Sequence, residues 1–345
     1  MAAEPEPVLL TPETLAACVV ARGVFDDARG IDVRPMGGGV SNIVLAARQG
    51  GRRVVVKQAL PRLRVEDAWF AKRERAINEA AALRLAGSIS PRSVPSLLDV
   101  DADACALTIA AAPEGWGNWK QRLLDDDVDP QVAARLGTLL AGWHTATAHD
   151  REVAAAFGDL EAFEQLRIEP YHRTIMDRQP GISSAVETYV RELQENRTCL
   201  VHGDYSPKNV LVGDGLWVID FEVAHYGNPV FDVAFMLNHL FLKCLHCPQA
   251  ADELDLCVEK FWSSYSGASA VCPSVANTLG QLGCLMVARV DGKSPAEYLT
   301  ESERLAARSI GTQLLLDPPG EIADVLRLVE RERAKLVPDS SGERR

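Results

Sequence analysis

Three short runs between residues 200 and 232 carry oxygen donors at a spacing that suits metal binding and proton transfer. They are Leu200-Val201-His202-Gly203-Asp204-Tyr205-Ser206-Pro207-Lys208-Asn209, Val218-Ile219-Asp220-Phe221-Glu222 and Asn228-Pro229-Val230-Phe231-Asp232. Asp220 follows Asn209 by eleven residues, and the interval reads as a hairpin. Val210-Leu211-Val212 and Leu216-Trp217-Val218-Ile219 are β-type runs, and Gly213-Asp214-Gly215 between them tolerates positive φ. A hairpin brings its two ends together, so the Asn209 carboxamide and the Asp220 carboxylate can share one divalent ion. Both are hard oxygen ligands suited to Mg²⁺. Asp204 is a carboxylate that can take the proton of a substrate hydroxyl. Alone, His202-Gly203-Asp204 is a tight turn with a helix cap; the inference rests on the whole set.

These residues need elements to position them. Thr11 can N-cap a helix over residues 11–24, with Pro12 in its first turn. Residues 31–36, 42–47 and 53–59 read as strands, joined by Gly37-Gly38-Gly39-Val40-Ser41-Asn42 and by a turn with Gly50-Gly51. Alternating charged and Ala/Leu positions predict a helix over 66–86 that ends near Gly87. Leu97–Val100 and Ala104–Ala110 fit two more strands. Pro113-Glu114-Gly115-Trp116-Gly117-Asn118 is turn-rich and marks a lobe boundary, giving lobes of 1–112 and 113–345. Helices are expected at 131–149, at 183–196 and from Val230 onward.

Composition narrows the function. The 345 residues, 47% of them apolar, can build a substantial core in two lobes. A net charge of −12 argues against a nucleic-acid partner, which needs clustered Lys and Arg. No run approaches the roughly 20 apolar residues of a membrane span. The acidic, Pro-rich stretch Met1–Pro7 is unlike a secretory signal, so a cytoplasmic location is expected. The eight cysteines read as small buried hydrophobes in a large chain of this kind. Cys244 and Cys247 have C-x-x-C spacing around His246, but no second ligand pair follows. The oligomeric state is left open.

His202, Asp204 and Asn209 reproduce the H-x-D-x-x-x-x-N pattern of a kinase catalytic loop, and Asp220 stands where a kinase keeps its metal-binding aspartate. With Gly203 after the histidine, the chain resembles the aminoglycoside phosphotransferase and choline kinase superfamily over roughly residues 30–245. That resemblance implies an α+β, protein-kinase-like two-lobe fold: an antiparallel N-lobe sheet with one long helix, and a mainly helical C-lobe. It implies an ATP-dependent, Mg²⁺-assisted phosphotransferase acting on a hydroxyl of a small molecule, with Asp204 as catalytic base and Asn209, Asp220 and Glu222 at the metal.

Further roles follow from the resemblance. Gly38, Gly39, Ser41 and Asn42 would form the nucleotide loop, although a Gly-rich hairpin reads equally well. Lys57 ends an apolar strand, where a surface lysine is ordinary; the resemblance makes it the lysine of the α/β-phosphates. Its carboxylate partner would be Glu79, or else Glu74. Leu107–Pro113 resembles the adenine-binding hinge, through the Ala110 C=O and the Ala112 N–H, or is an ordinary strand end. Asp232 would accept loop N–H groups or cap a helix, and His144 would pack in support. Lys208 reads as a solvated surface charge.

Lys57-Gln58-Ala59-Leu60-Pro61, followed by Glu66-Asp67-Ala68-Trp69, resembles the 5-methylthioribose kinase family, as does Phe221–Gly227. Asn209 and Phe221 depart from that family's pattern. The acceptor is therefore expected to be sugar-like first and aminoglycoside-like second, the latter needing carboxylates beyond Asp204, Asp220 and Glu222. A catalytically silent nucleotide-binding relative would have lost Lys57, Asp204 or Asp220, and all three are present. A protein kinase would carry a loop Lys where Ser206 stands.

Overall fold

A computed structural model describes residues 8–37, 41–63 and 71–336. Its elements divide into two compact units. The first comprises residues up to Trp116 together with Gly213–Ala224, and the second Gly117–Val212 together with residues from His225 onward. The segment that carries Asp220 thus belongs with the first unit, which a single boundary in the chain leaves out.

In the first unit, α1 (Pro12–Ala21) precedes β1 (Asp32–Pro35), β2 (Asn42–Gln49) and β3 (Arg52–Ala59). Then come α2 (Arg75–Ile89), β4 (Leu97–Asp101) and β5 (Ala106–Ala110). The strands form one antiparallel sheet in the order β1-β2-β3-β5-β4. Thr11 caps α1 through a capping box with Thr14, and α1 presents Leu15 and Val19 to a core shared with Ile43, Leu45, Val54 and Val56. Gly50, at φ +58°, makes the β2–β3 turn.

The helix α2 starts at Arg75, later than its charge pattern predicts. The Arg75 guanidinium occupies the carbonyls of Ala71 and Lys72, at 3.2 and 2.6 Å, so residues 71–74 do not continue the helix upstream. Residues 64–70 of that expectation lie outside the described residues.

The second unit opens with β6 (Gly117–Asn118), α3 (Trp119–Leu124) and α4 (Pro130–Ala146), then α5 (Arg151–Ala156) and α6 (Glu161–Phe163). A π-helix follows at Glu164–Arg173, then α7 (Thr174–Arg178), α8 (Ser183–Glu195), β7 (Cys199–Val201) and β8 (Val210–Val212). The strand β9 (Leu216–Val218) belongs to the first unit, where the Val218 N–H donates to the Ser93 carbonyl at 2.8 Å. β10 (His225–Gly227), α9 (Val230–His246), α10 (Ala251–Ala268), α11 (Val275–Asp291), α12 (Glu301–Leu316) and α13 (Ile322–Leu336) complete the second unit.

α9 is buried from Val230 to Leu245, with α10 and α11 packed against it. α11 meets α12 at a glycine pair: a Cβ on Gly283 would lie 2.7 Å from the Gly311 carbonyl oxygen. The π-helix was not foreseen. Pro170 inside it has no N–H to give the helical ladder, and the wider turn accommodates it. Among the described residues, no single helix is long and apolar enough to cross a membrane.

Candidate active site

Lys57 stands near the end of β3, paired in register with Val44 and Leu107. Its side chain is buried, and its ammonium lies 2.6 Å from Glu79 Oε1 and 2.5 Å from Asp220 Oδ1. Glu74 is not its partner. Burial works against the Lys57 charge, but Asp220, Glu79 and Glu222 outweigh it and hold the lysine pKa above its usual value. Burial also pushes the Glu79 carboxyl up, to about 7, against the pull of Lys57. Asp220 sits at φ +73°, a left-handed conformation that few non-glycine residues adopt and that is common at functional positions.

Glu222, expected at the metal, accepts from three side chains. Ser41 Oγ donates to its Oε1 at 2.8 Å, while Asn42 Nδ2 and Arg75 Nε donate to Oε2 at 2.8 and 3.1 Å. Three donors, one of them a buried guanidinium, make this carboxylate an anchor for the start of β2. The Ser41 and Asn42 side chains thus both bond Glu222. Gly38 and Gly39 lie outside the described residues, as does the segment with Glu66 and Trp69. β5 ends at Ala110, whose N–H donates to the Ser96 carbonyl, and the Ala112 carbonyl accepts from Arg53 Nη2 at 2.9 Å.

In the second unit the loop after β7 is held from behind. The Asp232 carboxylate accepts the N–H groups of His202 and Gly203 at 2.6 and 2.9 Å. His144 is fully buried, with Nε2 3.4 Å from Asp232 and Nδ1 2.9 Å from the Tyr265 hydroxyl. Burial would raise the Asp232 carboxyl, yet His144 and His202 hold its pKa below the usual value. Gly203 has φ +75°, and the Asp204 N–H donates to His202 Nδ1 at 3.1 Å. Asp204 is 3% exposed. Two cations meet its Oδ2: Arg167 Nη2 at 3.0 Å and Lys208 Nζ at 2.9 Å. Asn209 Nδ2 donates to the Asp204 carbonyl at 3.0 Å, which orients the amide and leaves its Oδ1 as the hard donor.

Residues 32–246 match the model of the phosphotransferase enzyme family, APH. The chain belongs to this family. A methylthioribose kinase of Geobacillus sp. (strain WCH70) is 23% identical over 287 residues, covering 74% of this chain and 72% of that protein. Methylthioribose kinase 2 of Oryza sativa subsp. japonica is 26% identical over 255 residues, covering 64% of this chain and 60% of that protein. Among solved structures, a microcompartment-associated aminopropanol kinase aligns with a TM-score of 0.54 at 15% identity, over 93% of this chain and 98% of that one. A choline/ethanolamine kinase family protein from Mesorhizobium loti aligns at 0.50 and 16% identity, over 92% and 99%. The structural likenesses are of fold, and that fold is the kinase-like α+β arrangement.

Sequence reasoning missed three cations in this family member. Arg167 gave no signal, because it is far from Asp204 in the chain and lies in a helix that Pro170 argued against. Lys208 was read as a surface charge; it is half-exposed but pairs with Asp204, and its position four residues on was the available signal. Arg75 looked like one of many charges on a helix, yet its guanidinium is buried on Glu222. Cys244 and Cys247 are buried thiols, and among the described residues no three or more His, Cys, Asp or Glu side chains gather so as to hold a metal ion.

Proposed function

We propose that this chain transfers the γ-phosphoryl group of ATP to a hydroxyl of a small molecule. Family membership supports the reaction class. The observation that carries the reading is Asp204: a buried carboxylate whose Oδ2 is occupied by Arg167 and Lys208 while its Oδ1 has no donor among the described residues. In this proposal Oδ1 accepts the proton of the attacking hydroxyl. Lys57, held by Glu79 in a buried pair, is assigned to the α/β-phosphates. Asp220 and Asn209 are assigned to Mg²⁺; their carboxylate and amide oxygens are the hard donors it prefers, and bound Mg²⁺ would offset phosphate charge. Glu222 is left out of the metal set because its carboxylate already has three donors.

The relatives named methylthioribose kinase support a sugar-like alcohol as acceptor. ATP consumption should be screened against sugars, sugar derivatives, amino alcohols and aminoglycosides, with product mass measured. A mass gain of one phosphoryl group on an alcohol is the expected result. Nucleotide binding without transfer to any acceptor, and without slow ATP hydrolysis, would instead favour a silent nucleotide-binding protein.

A further inference from the structure

Besides Arg167 and Lys208, which pair with Asp204, the second unit gathers further positive charge around His239. Lys243 of α9 is 0% exposed, and no carboxylate forms an ion pair with it among the described residues. Its ammonium donates to the His239 carbonyl at 3.2 Å and lies 5.4 Å from the centre of the Tyr298 ring. Lys120 of α3 lies 5.9 Å from the same ring; burial lowers its pKa, and the charge of Glu297 acts in the opposite direction. Arg289 of α11 spends Nη1 on the Ser294 carbonyl and hydroxyl. Its Nε is buried without a partner, and so is the Tyr298 hydroxyl.

These groups are continuous with the catalytic loop. Phe235, His239 and Lys243 recur every four residues along one stripe of α9. The Arg167 guanidinium that binds Asp204 lies 5.6 Å from the Phe235 ring, and His239 packs on the same ring at 5.1 Å. Burial, then the charges of Arg289, Lys243, Lys208 and Lys120, push the His239 imidazole well below its usual pKa. Burial first, with Lys120 and Arg289 adding to it, pushes the Lys243 ammonium down to about 7. A buried ammonium with no counter-charge opposes folding. Unused donors gathered around it are the arrangement expected where a ligand supplies the missing negative charge.

We propose that Lys120, Lys243, Arg289 and Tyr298 bind an anionic group, a carboxylate or a phosphate, on the acceptor alcohol whose hydroxyl loses its proton to Asp204. The role of Asp204 rests on the kinase reading above; the anion site does not. In the reaction the acceptor oxygen forms a bond to the γ-phosphorus of ATP, and the bond from that phosphorus to the β,γ-bridging oxygen breaks. ADP leaves with the electron pair, and the hydroxyl proton goes to Asp204 Oδ1. Anchoring the acid end of the acceptor would also reject cationic acceptors, whose ammonium groups would meet like charge here.

The test is calorimetric, on the full chain saturated with Mg²⁺ and the non-hydrolysable analogue AMP-PNP, so that nucleotide-phosphate contacts are filled. Inorganic phosphate and glycerate are titrated separately, at ionic strength held constant with sodium chloride. At least one should bind saturably, with affinity falling about tenfold or more in Lys243→Met and in Arg289→Met. Phosphate alone would identify a phosphorylated alcohol, and glycerate a hydroxy acid. If Arg289→Met fails to fold, Lys120→Met at its partly exposed site replaces it. The proposal is overturned if neither probe saturates, or if the variants bind as the parent does. Failure to bind AMP-PNP would defeat the kinase reading, while the same titrations without nucleotide would still decide the anion site.

Discussion

Arg167 reaches Asp204 from inside the π-helix, its Nη2 3.0 Å from the carboxylate Oδ2, and its Nε donates to the neighbouring Gly203 carbonyl at 2.6 Å. One side chain thus holds both the backbone and the carboxylate of the loop after β7. In the proposed reaction Arg167 acts through Asp204, as a positioning residue.

Loss of that hold should appear in turnover. Arg167→Gln is expected to lower kcat on the order of 10²-fold, the cost of a small misplacement of a reacting group. KM for ATP should stay near the parent value, and Arg167→Lys should recover part of the loss. Asp204→Asn should lose roughly 10²–10⁴-fold in rate while still binding ATP. Steady-state kinetics with calorimetric ATP titration check both. An Arg167→Gln variant with full kcat would remove its role.

Lys57 is enclosed by two carboxylates, so its removal strands their charge. Lys57→Met is expected to cost about 3–5 kcal/mol of stability, as breaking a buried pair does, together with most of the ATP affinity. Urea unfolding and nucleotide titration measure the two effects. A variant that binds ATP normally would show that the lysine only packs.

Glu222 separates an anchor from a metal ligand. Glu222→Gln leaves the buried Arg75 guanidinium without its counter-charge and should cost roughly 3 kcal/mol. As an anchor, Glu222 can be changed while the Mg²⁺ concentration for half-maximal activity stays the same. A several-fold rise in that concentration would return Glu222 to the metal.

Lys243→Met should raise stability, and the gain should depend on pH. The Lys243 pKa is depressed to about 7, so between about 7 and its unfolded value of 10.5 the unfolded chain binds more protons than the folded one. Stability from this group therefore rises with pH across that window, and its penalty is complete below about pH 7. The groups acting on Lys243 are Lys120 and Arg289, which lower its pKa, and Cys247 and Cys244, which raise it; His239 and Tyr298 pack beside it. The advantage of Lys243→Met should be largest near pH 7 and shrink toward pH 9, by at most about 1.4 kcal/mol per unit. Denaturant melts at several pH values check it, and a pH-independent difference would contradict it.

Much of the fold was legible because local chemistry dictates it. Thr11 and Pro12 start α1, Gly50 turns β2 into β3, and the β-branched run before Lys57 makes the strand that buries it. Asp204, Asn209 and Asp220 were visible because their spacing within the chain is itself the motif. The partners of these residues were not. Arg167 meets Asp204, and Arg75 meets Glu222 across a separation of 147 residues, by packing of distant segments that no local pattern encodes. The π-helix that carries Arg167 forms around Pro170, a residue that local propensity counts against any helix. Whether a Lys or Glu is a surface charge or half of a buried pair depends on which other segment folds against it. The sequence by itself determined the family's loop and its strands. The tertiary structure decided which carboxylates are neutralised, that Glu222 is held by Ser41, Asn42 and Arg75, and that Lys243 is left without a counter-charge among the described residues, because burial and pairing are properties of the assembled core.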